Sequence, residues 1–300
     1  MDPALSAAAR RLAAALEPFA GQVYFSPEAH AGYVQLGFSP SPGSVGDPGV
    51  AMPDGAAYFT SRGSVMGQVP GEVIASAFAV FNPAAVVPAV AYGWSLTDAK
   101  TICAARDRGA IAQLERILGQ KPDNIDLVGE LLARAAAPLR PEGRPLYAGL
   151  SSLEVPASLV GRAWRFADML REYRGDAHTA AWTSAGYDAT EIGLVSELYW
   201  GLPMGSYVRT RAWSDDQLEA AKHRLRVRGL VDTDSFSDAG RESREAVEVA
   251  TDRALTPAVE ALGEDHGRLC TILEAWGKDI RAQAGYLGGG MHDLANLGRR

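Results

Sequence analysis

The chain repeats itself, and that repetition limits the folds open to it more than any single motif. Ser95-Leu96-Thr97-Asp98-Ala99-Lys100 returns as Ser235-Phe236-Ser237-Asp238-Ala239-Gly240, an offset of 140 residues. Ala29-His30, leading to Gly37-Phe38, returns as Ala177-His178 leading to Gly186-Tyr187. Further on, Ala105-Arg106-Asp107-Arg108 up to Leu118-Gly119 returns as Ala250-Thr251-Asp252-Arg253 up to Leu262-Gly263, and the offset stays between 140 and 149 throughout. Each match alone is weak, because Ala-rich strings recur by chance; convergent helical composition is the bland alternative. Three in one order predict a duplication. Two copies in one chain can pair internally the surfaces that a homodimer would pair, leaving a groove on the pseudo-twofold axis.

Three hundred residues with 47% apolar and 22% charged composition suffice for a large core without staples. Only Cys103 and Cys270 occur, both in helical segments and with no CxxC or Cys/His cluster, so neither disulfide, metal site nor cofactor is expected. Met1-Asp2-Pro3 leads into an amphipathic Ala/Arg helix, and no apolar run reaches about eighteen residues, which predicts a cytoplasmic protein with no membrane partner. A net charge of −7 argues against a surface devoted to polyanions.

Apolar spacing predicts helices over 4–16, from Ser26-Pro27 through Leu36, and over 56–66, 71–81 and 99–118. Between them, residues 39–49 are rich in Pro, Gly and Ser and read as a mobile loop, and 86–94 as a short separator. Residues 137–149, broken by Pro138, Pro141, Gly143 and Pro145, read as the connection between a first copy (1–140) and a second (150–284), with 285–300 a flexible tail. In the second copy a helix capped near Ser158 runs past His178 and Trp182, followed by helices over 191–199 and 214–228. Leu230-Val231 and Phe236-Ser237 flank a turn, and long helices follow from Asp238 and across 269–281.

Helix, turn, helix, Arg228-Gly229-Leu230-Val231, a two-stranded wing and Ser237-Asp238-Ala239-Gly240 opening a long helix is a winged helix-turn-helix order. Leu225, Gly229, Leu230 and Val231, with Phe236, Ser237 and Gly240, resemble the MarR-like pattern at the end of the recognition helix and after the wing. Through Tyr58-Phe59-Thr60-Ser61-Arg62, Phe81-Asn82-Pro83, Arg174-Gly175-Asp176-Ala177-His178, Arg211-Ala212-Trp213-Ser214 and Thr251-Asp252-Arg253, nearly the whole chain is similar to an actinobacterial family of duplicated MarR-like helix-turn-helix proteins of unsettled function. The resemblance implies a mainly α fold: tandem winged-helix-like repeats forming an intramolecular pseudo-dimer, with small β-wings.

Whether such a scaffold reads DNA depends on the recognition helix. In the second copy that helix opens Ser214-Asp215-Asp216-Gln217-Leu218-Glu219, carboxylates that phosphates would repel, and its wing tip, Asp232-Thr233-Asp234-Ser235, has no cation. The first-copy counterpart, read as 71–81, has one charge and apolar residues on nearly every face, which predicts burial. Favouring DNA are Arg209, Arg211, Lys222, His223, Arg224, Arg226 and Arg228; their bland reading is a solvated face paired with Asp215, Asp216 and Glu219.

With recognition disfavoured, the cavity between copies becomes the expected site. Tyr58, Arg62 and Met66, at i, i+4 and i+8, would set a phenol, a guanidinium and a thioether on one helix face, suited to an anionic or aromatic small molecule. Asn82 before Pro83 reads as a helix cap, with ligand contact as the sharper option. His30 and His178 are repeat mates, His178 shares a face with Trp182, and Tyr199 and Glu197 lie nearby; His178, Glu197 and Tyr58 are the catalytic candidates. No Ser/His/Asp order, HExxH or P-loop is visible. The leading expectation is a small-molecule-binding protein, monomer or homodimer, recruited as a tailoring or resistance factor in specialised metabolism. A ligand-responsive regulator using the second copy is the alternative, and an enzyme using the inter-repeat cavity the third.

Overall fold

The computed structural model describes residues 2–288. In chain order, the first half runs α1 (Pro3–Gly21), α2 (Pro27–Gln35), a hairpin of β1 (Ser44–Val45) and β2 (Val50–Ala51), α3 (Gly55–Gly63), α4 (Gly71–Phe78), α5 (Pro83–Leu96), α6 (Ala99–Leu118), α7 (Ile125–Ala136) and α8 (Pro145–Ser151). The second half runs α9 (Leu159–Ser184), α10 (Ala189–Tyr199), α11 (Asp215–Val227), a hairpin of β3 (Val231–Asp232) and β4 (Ser235–Phe236), α12 (Asp238–Leu262) and α13 (His266–Ala282). Both hairpins are antiparallel, pairing Val45 with Val50 and Val231 with Phe236. No helix of the described residues is long and apolar enough to cross a membrane.

Side-chain caps set most boundaries: Ser26, Asp98, Ser158, Ser214 and Ser237 each accept from a backbone N–H of the helix they start. Asp188 and Ser214 complete capping boxes with Glu191 and Gln217. Gly229, at φ +67°, ends α11. Gly240 is required by proximity, since a Cβ there would lie 1.8 Å from the Leu230 carbonyl oxygen; its bare backbone lets the first turn of α12 close on the wing.

Helices cross reciprocally between the halves. The opening helix α1 packs along α13, the last helix of the second half, while α9, which opens the second half, packs along α7. In the same sense α1 lies on α12 and α9 on α6, with α1 against α9 at the centre. Two apolar cores result. The larger joins α1–α9 to the ends of α12 and α13 through Phe19, Ile102, Leu132, Trp164 and Leu273; the smaller, around Trp182, Ile192, Val208, Leu218, Leu225 and Val247, holds α10, α11 and the wing.

The second half follows the expected elements closely, while the first departs from them. Residues 39–49 are not simply a loop, for the β1–β2 hairpin forms at their end. The separator at 86–94 is the body of α5, helical despite Val86, Val87 and Pro88, because Val86, Val90 and Gly93 are buried against the core; a Cβ on Gly93 would sit 2.0 Å from Thr60 Oγ1. Residues 71–81 shorten to α4, which is amphipathic and not buried all round: Ile74 and Phe78 face inward, but Val73 is 45% exposed. Pro145 opens α8 inside the expected connection, and α7 was not foreseen. Of the expected tail, Tyr286 is buried, its hydroxyl donating to Glu17 at 2.6 Å; the part from 289 to 300 lies outside the described residues.

Candidate functional site

A cleft of about 1140 Å³ separates the helix-turn-helix module from the larger body. Its body wall comes from α1 and α9, its opposite wall from α10 and the 3-10 turn at Val208–Arg211, and its ends from α3 and α13. Lining it are eight cationic side chains (Arg10, Arg11, Arg62, Arg171, Arg174, Arg211, Lys278, Arg281) against four carboxylates (Glu17, Glu172, Glu248, Glu274), so a chain of net charge −7 concentrates positive charge there. Five aromatic rings, Tyr58, Phe81, Tyr199, Trp200 and Tyr207, share the lining.

Around Glu172 the body wall is a closed ionic network. Arg62 grips its carboxylate with two bonds, Nε to Oε1 at 3.1 Å and Nη2 to Oε2 at 2.8 Å, while Arg171 donates at 2.9 Å and the Tyr24 hydroxyl at 2.9 Å. Burial alone would raise the Glu172 pKa, but the guanidinium of Arg62, then that of Arg171, holds it down at about 2. Arg62 also donates to the Tyr58 hydroxyl at 3.1 Å and stacks over Phe78 at 4.6 Å.

Across the cleft, Arg211 is sandwiched, its guanidinium 4.4 Å from the Phe81 ring centroid and 4.5 Å from that of Tyr207, with one nitrogen donating to the Tyr207 hydroxyl. It has no carboxylate partner among the described residues. His178 lies on α9 with Nδ1 3.0 Å from Thr251 Oγ1, and burial lowers its pKa to about 3; Glu248 opposes that shift while Arg244 and Arg174 reinforce it. The ring is therefore neutral at physiological pH.

The module is fastened to the body on both flanks of this cleft. On one side the Asn82 N–H donates to the Arg211 carbonyl at 2.9 Å, Asn82 Nδ2 to the Ala212 carbonyl at 2.9 Å, and Trp213 Nε1 to the Val80 carbonyl at 2.9 Å. On the other, Arg10 reaches Glu245 and Asp252 at 2.6 Å each, and Tyr199 donates to Glu245 at 2.7 Å.

Of the residues singled out from sequence, Tyr58, Arg62, His178, Tyr199 and Arg211 converge on the cleft. The others do not. Met66 leaves the face of Tyr58 and Arg62 because α3 tightens into a 3-10 turn after Gly63. His30 is buried on α2, Nε2 against the Tyr24 carbonyl at 3.0 Å, and Trp182 belongs to the smaller core. Asn82 caps α5 and bridges to the module. Glu197 is fully buried and accepts the backbone N–H groups of Gly205, Tyr207 and Val208 at 2.5, 2.5 and 2.6 Å, which makes it the staple of the turn between α10 and α11 and leaves no oxygen for acid–base work. Sequence reasoning passed over Arg171 and Arg174, whose spacing with His178 marks one face of α9; Glu17 and Arg10 form a similar stripe on α1.

The other arginines and the lysine on and just before α11 have internal partners. Arg209 pairs with Asp215, Lys222 with Glu219 at 2.8 Å, Arg224 with Asp188 at 2.6 Å and Glu191 at 3.2 Å, Arg226 with the Thr233 carbonyl at 3.0 Å, and Arg228 with Glu191 at 2.7 Å. Helix α5, which runs directly into the repeated string at Ser95, carries no charged side chain at all. Among the described residues no cluster of His, Cys, Asp or Glu could hold a metal, and Cys103 and Cys270 are both buried and free.

A family model described as a helix-turn-helix family matches residues 9–287. No curated protein and no solved structure matches the chain.

Proposed function

The chain belongs to this helix-turn-helix family, and from that premise we propose that it is a small-molecule-binding protein of two MarR-like halves folded face to face, its ligand held in the cleft beside the second-half module. The observation that carries the reading is where the cations are. Those on and before α11 are engaged within the module, whereas Arg211, stacked between two aromatic rings of the cleft, has no carboxylate partner among the described residues and faces a hollow large enough for a ligand. Support for the duplicated architecture comes from ion pairs exchanged between halves. Asp107 on α6 pairs with Arg165 of α9, and Asp252 on α12 with Arg10 of α1 at 2.6 Å. These two aspartates are repeat mates at an offset of 145, and each is met by an arginine of the other half's opening helix.

The test is a thermal-shift screen of metabolites read together with Trp200 fluorescence, since Trp200 lines the cleft. A ligand at about a hundred times its Kd stabilises the folded state by about 2.7 kcal/mol, several degrees in Tm. The stabilisation should weaken in Arg62→Gln, and the fluorescence change should vanish in Trp200→Phe. Ligands whose shifts are the same in wild type and Arg62→Gln would place binding outside this cleft.

Family membership itself favours a second reading, a ligand-responsive regulator, because the fold is of the DNA-binding or regulatory type and α11 keeps His223, Arg224 and Arg226 exposed. Retention of promoter fragments that falls steeply with salt, and that is lost when Arg224→Ala and Arg226→Ala are combined, would establish it in place of the first. Unchanged retention in that double variant removes it.

A further inference from the structure

The hydrogen-bonding state of His178 says something about the ligand. Thr251 Oγ1 donates to the Val247 carbonyl oxygen at 2.8 Å, and a hydroxyl has only one proton to give. Its 3.0 Å contact with His178 Nδ1 therefore runs the other way: Nδ1–H donates and Thr251 accepts. That fixes the neutral tautomer in which Nε2 carries a bare lone pair. Among the described residues Nε2 has no partner, it is not sealed off, and His178 lines the cleft, so the wall presents a hydrogen-bond acceptor to whatever enters. Such an acceptor takes a hydroxyl or N–H and rejects a carboxylate.

The opposite wall has the complementary preference. Arg211 is held flat by Phe81 and Tyr207 and, among the described residues, spends only one nitrogen on the protein, towards the Tyr207 hydroxyl. Its remaining N–H groups are available to an acidic group in the plane of the guanidinium. At about 1140 Å³ the cleft exceeds the roughly 300–1,000 Å³ of ordinary small-molecule pockets, so it accommodates a fused multi-ring compound more naturally than a single ring.

Building on the small-molecule reading above, we propose that the ligand class is a planar, multi-ring organic anion bearing a hydroxyl or N–H donor, its acidic group paired with Arg211 and its donor read by His178 Nε2. His178 is then the specificity-determining residue, distinguishing a free hydroxyl from its ether.

Two dyes isolate these elements: 8-hydroxypyrene-1,3,6-trisulfonate and its 8-methoxy ether, titrated at pH 6.5 with fluorescence anisotropy as the readout. Wild type should bind the hydroxy dye about tenfold more tightly than the ether, the worth of one hydrogen bond in a partly buried site. His178→Phe should bring the hydroxy dye down to the ether's affinity and leave the ether unchanged, while His178→Gln, which keeps an acceptor, restores part of the difference. Arg211→Gln should weaken both dyes about tenfold. Equal affinity for the two dyes in wild type, or equal weakening of both in His178→Phe, overturns the assignment of His178; dyes that bind in wild type but ignore Arg211→Gln overturn that of Arg211. If neither dye binds while a screened ligand still loses its shift in Arg62→Gln, the ligand class is wrong and the cleft stands. No dye binding together with screened ligands indifferent to Arg62→Gln overturns both.

Discussion

The two halves of this molecule use similar runs of helices for opposite ends. In the second half α10, α11 and the β3–β4 wing fold around a core of their own and stand off the body, touching it at the flanks of a cleft. In the first half α3, α4 and α5 dissolve into the main core, and the hairpin sits before α3 instead of after α5. The repeated string differs between them at one telling position. Where the second half has Gly240, against which the Leu230 carbonyl closes, the first has Lys100, and there the preceding chain stays helical to Leu96 with no wing. The α4–α5 junction of the first half is the dock for Trp213 and Arg211 of the other half. One half can thus become the support on which the other's cleft is built.

The largest effect should come from erasing that distinguishing residue. Gly240→Val drives a side chain into the Leu230 carbonyl and should cost about 3 kcal/mol or more, with the wing and α11 losing amide protection first. Lys100→Gly, the reciprocal change at an exposed position in the first turn of α6, should cost less than about 1 kcal/mol. Urea denaturation with hydrogen exchange separates them. Equal costs would mean that the Gly/Lys difference does not explain why only one half has a wing at this place.

The same contrast explains what could be read beforehand. Helices α9 to α13 were legible because their signals are local: Ser158, Ser214 and Ser237 cap them, Gly229 stops α11, and apolar residues recur at helical spacing. Helix α5 was not, since Val86, Val87 and Pro88 argue against a helix, and the decision is made by Gly93 lying against Thr60 of another element. At the site, aromatic and cationic character pointed to Tyr58, Arg62, His178 and Tyr199. The recruitment of Arg211 depends on how the turn at 205–212 folds over buried Glu197, and no local pattern encodes that. Arg171 and Arg174 gave no signal because their partners, Glu17 and Glu248, are far away in sequence.

A second, smaller effect would sharpen the reciprocity between halves. Arg165 is 1% exposed where it meets Asp107, whereas Arg10 is 36% exposed where it meets Asp252. Arg165→Met should therefore cost about 3 kcal/mol, the scale for breaking a buried pair. Arg10→Met should cost about 1 kcal/mol, because Arg10 is itself partly solvated and buried Asp252 keeps the Ser6 hydroxyl, which donates at 2.5 Å, and Arg174 at 3.9 Å. If chemical denaturation gives the same value for both, the two junctions are matched in energy as well as in placement, and the second half's looser attachment must be sought elsewhere.

The smallest effect distinguishes the paired histidines by pH. Burial lowers the pKa of both, that of His178 to about 3, so each binds a proton less readily in the folded protein than in the unfolded chain. Stability from this source is complete above the unfolded value near 6.5 and is lost as pH falls through the window towards 3, at no more than ~1.4 kcal/mol per pH unit for one proton. Asp176, pushed up to about 7 by burial, works in the opposite direction over part of the range, since its folded form holds a proton longer. Comparing each variant with wild type cancels that shared contribution. His178→Gln should flatten the fall of Tm between pH 6.5 and 4.5 more than His30→Gln does, because burial with Arg244 and Arg174 outweighs the pull of Glu248 on His178, whereas the charges that act on His30, Glu28 and Asp54, both favour its protonation. A larger flattening at His30 would reverse the ranking and remove the electrostatic distinction drawn between the cleft-facing ring and its buried counterpart.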